Sequence, residues 1–323
     1  MIAALLFPLT LVAQGAPTHA VDTIPRRHAV HLTGHVLLNR GADSTPAAAT
    51  RLILHGVTPT VQGPIDSLLT TADGAFDLHF TADTGVVYLL SARWAGIEYF
   101  ALPLDTREGS PRLDANVVVA DTSAAAPVAL SARHLLVSAP AATGTRDVLD
   151  LAILTNAGPR TRVPTVAAPV TWRMLLPHAA INARVGDAEF ATETMIIHGD
   201  TLALTAPIPP GQRSISVTYQ LPPNISAITL TVAQPVPTVN LLMEEPGAHV
   251  TGGLVRADSQ LVNNGRSYTR WSGAVVAGQG IVIRFPGSVA LPPWVLPVLV
   301  GAFALGLVAV GALAFGPART QSH

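Results

Sequence analysis

Residues 285–318 contain no Asp, Glu, Lys or Arg, and the 21 positions 295–315 are uncharged throughout. As a helix they would be about 31 Å long, against a bilayer hydrocarbon core of about 30 Å. The stretch therefore predicts one transmembrane helix over 294–316. Pro292, Pro293 and Pro297 fall in or before its first turn, where a missing backbone N–H is harmless. Trp294 is placed as the membrane-interface anchor. Ala302, Gly306, Ala309 and Leu313 are spaced by four, three and four, so they share one helix face. They are the expected helix-packing interface, because small residues let helices approach closely where lipid offers no hydrophobic drive. Residues 317–323 would form a short cytoplasmic tail without room for a signalling module. A C-terminal sorting signal is the competing reading, but LPPWVLP matches no sorting motif and a single Arg319 makes a thin basic cluster.

A second apolar stretch, residues 2–12, has the length of a signal-peptide core and is too short to span a bilayer. Ala13-Gln14-Gly15 supplies the small residues of a cleavage site. The first basic residues are Arg26 and Arg27, so the positive leading region of a signal peptide is missing. Residues 1–15 are read as a signal peptide or, alternatively, an uncleaved anchor. One Arg on each flank of the C-terminal span does not set its orientation, which therefore rests on the N-terminal segment. The expectation is a single-pass protein of a bacterial inner membrane, its bulk periplasmic and its C-terminus cytoplasmic.

Composition removes most chemistry. Only 12% of the residues are charged, against about 25% in an ordinary soluble domain. The net charge of −1 lacks the basic field that nucleic acid needs, so nucleic acid is not an expected partner. There is no Cys, which excludes thiol nucleophiles, disulfides, Cys-ligated zinc and iron–sulfur clusters. All 19 basic residues are Arg, which also excludes Schiff-base chemistry and a P-loop Lys.

Between the two ends, apolar residues alternate or run in short blocks bounded by Gly, Pro, Asn and Asp, which predicts strands. The first set covers 31–38, 50–55, 67–71, 75–80, 86–92, 97–102 and 116–119. Asp73-Gly74 reads as a two-residue hairpin turn and Ala95-Gly96 as a second one. After an Ala-rich linker over 121–128, a second set covers 135–137, 148–154, 170–175, 193–197, 201–204, 214–219, 228–232 and 281–285. The fold class is all-β, with two antiparallel β-sandwich domains, 28–121 and 129–285, followed by the C-terminal transmembrane helix.

Over residues 30–121 the sequence resembles the carboxypeptidase regulatory-like, or transthyretin-like, β-sandwich. The matching motifs are Gly34-His35-Val36, Leu52-Ile53-Leu54, Thr70-Thr71-Ala72-Asp73-Gly74-Ala75-Phe76 and Tyr88-Leu89-Leu90. The insert at 41–50 and the Gly63-Pro64 break depart from the pattern. The resemblance implies an accessory module without catalytic residues. The whole plan also resembles the single-span accessory subunits of bacterial photosynthetic or respiratory membrane complexes. It implies integral membrane subunits and the lipid bilayer as partners.

Candidate chemistry is sparse. His31 and His35 share a strand face but stand about 13 Å apart, too far for one ion held at about 2 Å per ligand. His55 and His79 could meet across strands, with no third ligand evident. Asp66, Asp73 and Asp77 could surround calcium, but turn chemistry and strand alternation already account for Asp73 and Asp77. Neither Gly-x-Ser-x-Gly nor His-Glu-x-x-His occurs. No catalytic residue, metal or cofactor is expected. Trp94, Tyr99, Trp172, Tyr268 and Trp271 offer the one alternative, a sugar-stacking platform of a surface or periplasmic carbohydrate- or peptide-binding protein.

Overall fold

A computed structural model describes residues 27–106, 112–257, 261–263 and 265–286. The N-terminal apolar segment, Trp294 and the helix-face residues Ala302, Gly306, Ala309 and Leu313 lie outside them. Among the described residues no helix is long and apolar enough to cross a membrane. Those residues are nearly all β and divide into two compact units, at Asp121 and Thr122.

The first unit contains β1 (Arg27–Asn39), β2 (Ser44–Pro46), β3 (Arg51–Val57), β4 (Gln62–Leu69), β5 (Ala75–Asp83), β6 (Val87–Trp94), β7 (Ile97–Phe100), β8 (Arg112–Asp114) and β9 (Val117–Val119). Strand alternation sorts β1 onto two faces: Val30, Leu32, Val36 and Leu38 are buried, while His31, Thr33 and His35 point the other way. Four strands pair with β1 to make a five-stranded sheet. Antiparallel β5 pairs with its first part and antiparallel β2 with its last residues, while β8 and β9 run parallel to it. The second sheet has the order β4-β3-β6-β7, all antiparallel. Leu32 and Leu78 from one sheet and Leu54 and Leu90 from the other share one core, so the unit is sandwich-like.

Two sequence expectations need correction here. The sheet built on β1 is mixed rather than wholly antiparallel, because the chain returns to β1 by crossover, and a crossover brings a strand back parallel. Asp73-Gly74 is not a hairpin between paired strands, since β4 lies in one sheet and β5 in the other. It is a tight turn closed by Gly74 N–H donating to Thr71 O at 3.0 Å. Only Gly74, at φ +75°, needs the left-handed region, and Asp73 serves instead by accepting from the Thr71 hydroxyl. That hydrogen bond, with the Ala75 N–H behind it, holds the Asp73 carboxyl below its ordinary value. Ala95 and Gly96, at φ +48° and +81°, do close a two-residue hairpin between β6 and β7. The insert at 41–50 contains β2 and fully buries Ala47.

The second unit contains β10 (Thr122–Ser123), β11 (Ala129–Val137), β12 (Arg146–Asn156), β13 (Thr161–Arg162), β14 (Trp172–Leu175), β15 (Ile181–Ala188), β16 (Met195–His198), β17 (Thr201–Leu204), β18 (Gly211–Leu221), β19 (Ala227–Thr231), β20 (Val236–Met243), β21 (His249–Thr251), β22 (Val255–Arg256), β23 (Leu261–Asn263), β24 (Arg266–Val275) and β25 (Gly280–Arg284). The main sheet runs β15-β18-β12-β11-β20-β24-β22, with β23 also on β24. It is mixed as well, because β20 runs parallel to β11. Two three-stranded sheets, β14-β17-β16 and β19-β25-β21, supply Leu202, Leu204, Leu230 and Ile283 to the core that Leu154, Val217 and Leu241 of the main sheet also line. The segment read as a linker belongs to this unit: Thr122-Ser123 pairs with Thr161-Arg162, and Ala126 is buried.

Candidate functional site

On the outward face of β1 and β5 the register sets His31 directly opposite His79, and Thr33 opposite Asp77. Asp77 and His79 are two residues apart on one strand, so both project to the same side as His31. The imidazoles of His31 and His79 are stacked, with centroids 4.1 Å apart and planes 11° from parallel. Asp77 Oδ1 lies 2.9 Å from His31 Nε2 and 3.2 Å from His79 Nε2. All three donor atoms fall within 4.8 Å of one another. The side chains of His31, Asp77 and His79 are 29%, 62% and 72% exposed, so solvent and solutes reach them. Neither pairing considered from the sequence forms this cluster. His35 is farther along β1, and His55 belongs to the other sheet. Asp66 and Asp73 are not part of it, being on β4 and in the turn before β5.

His55 takes part in a second cluster. Its Nε2 is 2.8 Å from Ser91 Oγ, and the Ser91 hydroxyl donates to Glu98 Oε1 at 2.6 Å. Glu98 also lies 3.2 Å from the same Nε2. A nucleophilic triad needs the carboxylate on the opposite ring nitrogen and a hydroxyl open to substrate. Here the carboxylate reaches the same nitrogen as the serine, and Ser91 is fully buried. The cluster ties β3, β6 and β7 together and has no geometry for acyl transfer.

In the second unit Arg133 and Asp150 face each other between β11 and β12. Arg133 donates from Nε and a terminal nitrogen to the two Asp150 oxygens at 2.9 and 2.6 Å, and again to Leu175 O at 3.0 Å. Burial alone would lower the Arg133 pKa, but the Asp150 charge and hydrogen bonds outweigh it and hold it above the ordinary value. The Tyr219 hydroxyl is buried within reach of the same charges; among the described residues it has no partner at full hydrogen-bonding geometry, although the Asp150 carboxylate is close enough to act on it. Burial first, and then the Asp150 charge, push its pKa well above the ordinary value.

The sign of that shift gives a prediction. Below about pH 10, the unperturbed value for tyrosine, both folded and unfolded chains keep the proton. Above it only the unfolded chain releases the proton, so stability falls as pH rises toward the folded-state value. Tyr219→Phe is expected to change stability by less than about 1 kcal/mol at pH 8, because it removes a hydroxyl without a partner at full hydrogen-bonding geometry. From pH 10 upward the variant should gain on the parent by up to about 1.4 kcal/mol per pH unit. Urea denaturation at pH 8, 10 and 11 measures both, and parallel pH curves for the two proteins would refute the assignment.

The five aromatic residues do not form a platform. Tyr99, Trp172, Tyr268 and Trp271 are buried. Half-buried Trp94 donates its indole N–H to Asp121 at 3.0 Å, and Tyr99 donates its hydroxyl to Ala120 O at 2.8 Å.

No protein-family model matches the chain, and no curated protein matches it. Among solved structures, the M1 zinc metallopeptidase of Deinococcus radiodurans matches at 12% identity and a TM-score of 0.32, over 49% of this chain and 42% of that one. A mutant of the same enzyme bound to a Tyr-Ser-Ala substrate matches at 13% identity and a TM-score of 0.32, over the same shares. The chain thus spans less than half the length of these enzymes, and likeness at this level bears on neither its catalysis nor its metal content.

Proposed function

We propose that the protein is a non-catalytic, exported and membrane-anchored accessory subunit that acts by contact with the integral subunits of a larger inner-membrane assembly, of photosynthetic or respiratory type. The observation that supports this reading is a set of exposed apolar side chains, two on the outward face of the four-stranded sheet and one in the chain just after β7. Val87, Phe100 and Leu102 are 51%, 57% and 86% exposed. Strand register places Val57 beside Val87, and Phe100 opposite Ser91. Large apolar side chains left this exposed beside the polar His55–Ser91–Glu98 cluster suit a contact surface that mixes apolar and polar groups. The uncharged C-terminal stretch supplies the anchor in this reading. The carbohydrate-binding alternative is weaker, because its aromatic residues are core.

The test is recovery of the full chain, tagged, from native membranes in mild detergent. It is expected to bring down a defined set of integral membrane proteins. Phe100→Asp combined with Leu102→Asp should cut that recovery at least about tenfold, since central apolar contacts carry most of a contact's energy. Extraction of both proteins alone would overturn the proposal.

A further inference from the structure

We propose that His31, Asp77 and His79 bind one divalent transition-metal ion, and that zinc suits the donor set. The proposal goes beyond the contact function and does not depend on it. Two imidazole nitrogens and one carboxylate oxygen are the donors that zinc takes in sites with three protein ligands and one open position. Calcium and magnesium seek oxygen-rich shells, and a single carboxylate does not supply one.

The distances fit. In a tetrahedral site with ligands at about 2.0–2.1 Å, neighbouring donors stand about 3.3 Å apart. The two nitrogen-to-oxygen distances, 2.9 and 3.2 Å, are within a few tenths of an ångström of that value. Each lone pair lies in its ring plane, so the stacked rings must rotate well away from parallel before both Nε2 atoms can point at one ion, and the exposure of His79 leaves it free to turn.

The fold also fixes where the donors start. His31 and His79 are direct partners in an antiparallel ladder, and Asp77 lies diagonally across from His31. Main-chain pairing therefore holds all three Cα positions on one sheet face. On the other side of β1, Arg112 is the register partner of His31 and Asp114 that of Thr33. The neighbouring strand thus carries one charge of each sign beside the cluster. A shallow groove of about 370 Å³ lies against His31 and His79 and is also lined by Ala29 and Thr81, so solvent reaches both imidazoles.

Zinc binding to the full chain in detergent, purified without a polyhistidine tag and stripped with chelator, tests the assignment. Calorimetric titration with zinc chloride is expected to show one saturable site. Elemental analysis after dialysis should give one zinc per chain. His79→Gln should weaken binding at least about tenfold, since even partners outside the ligand shell are worth that much. His79 is exposed, so its replacement spares the core, and an unchanged circular dichroism spectrum checks the fold. His198→Gln, at an exposed histidine outside the cluster, should leave the site intact. Copper(II) bound in place of zinc should show two nitrogen couplings by paramagnetic resonance, and one in His79→Gln. Absence of a saturable site, or equal affinity in His79→Gln and the parent, overturns the proposal.

Discussion

Asp150→Ala is expected to cost the second unit about 3–5 kcal/mol, because it strands a charge that cannot be discharged. The side chains of Arg133 and Asp150 are 1% and 0% exposed. Arginine keeps its proton at any accessible pH, so without Asp150 a buried guanidinium is left with the Leu175 carbonyl as its remaining acceptor. Arg133→Met should cost a similar amount by leaving the carboxylate unpaired. Replacing both, Arg133→Met with Asp150→Leu, should fall within about 1 kcal/mol of the parent or exceed it, since an apolar pair avoids the desolvation that the ion pair must overcome. Urea denaturation of the four proteins closes the cycle. Single variants as stable as the parent would show that the pair is hydrated in solution.

The second large effect is expected at Gly34. A Cβ there would sit 1.9 Å from the Ala115 carbonyl oxygen and 2.9 Å from the Phe76 ring. Neither can yield easily. Ala115 N–H donates to Thr33 O at 3.0 Å, and it lies where the chain passes from β8 to β9 along β1. Gly34→Ala should therefore destabilise the first unit by about 3 kcal/mol, the upper part of the range for overpacking. Gly63→Ala, where nothing lies within 4 Å, should stay within about 0.5 kcal/mol of the parent. Thermal melting of both variants tests the contrast, and equal melting temperatures would remove the role given to this close approach.

Strands with one clean apolar face were legible in the sequence. Val30, Leu32, Val36 and Leu38 announce β1, and alternation across 148–154 announces β12. β20 and β24 were not legible, although both lie inside the main sheet. Pro237 interrupts the start of β20, and β24 spells Arg-Ser-Tyr-Thr-Arg-Trp-Ser-Gly, whose buried Tyr268 and Trp271 sit among polar neighbours. The His31–Asp77–His79 cluster was hidden for another reason. Each residue looks like an ordinary solvent-facing strand position, and only the β1–β5 register brings residues 46 or more positions apart together. Strand composition does not encode register. It is set by the match of apolar faces along the paired strands and by the connections between them, and β1 and β5 have no short turn to fix it.

The parallel pairing of β20 with β11 orders events during synthesis. His134 meets Asn240, 106 positions later, at 3.1 Å. β11, β12, β15 and β18 are all made before β20 and can pair with one another first. Until residue 243 has left the ribosome, β11 presents an unpaired row of backbone groups to whatever lies nearby. Closing so long a loop is slow compared with forming a hairpin, which prolongs that interval. In a chain read as exported, the half-built sheet would spend that interval in reach of other unfinished strands, and a factor that covers β11 would govern how much of the protein matures.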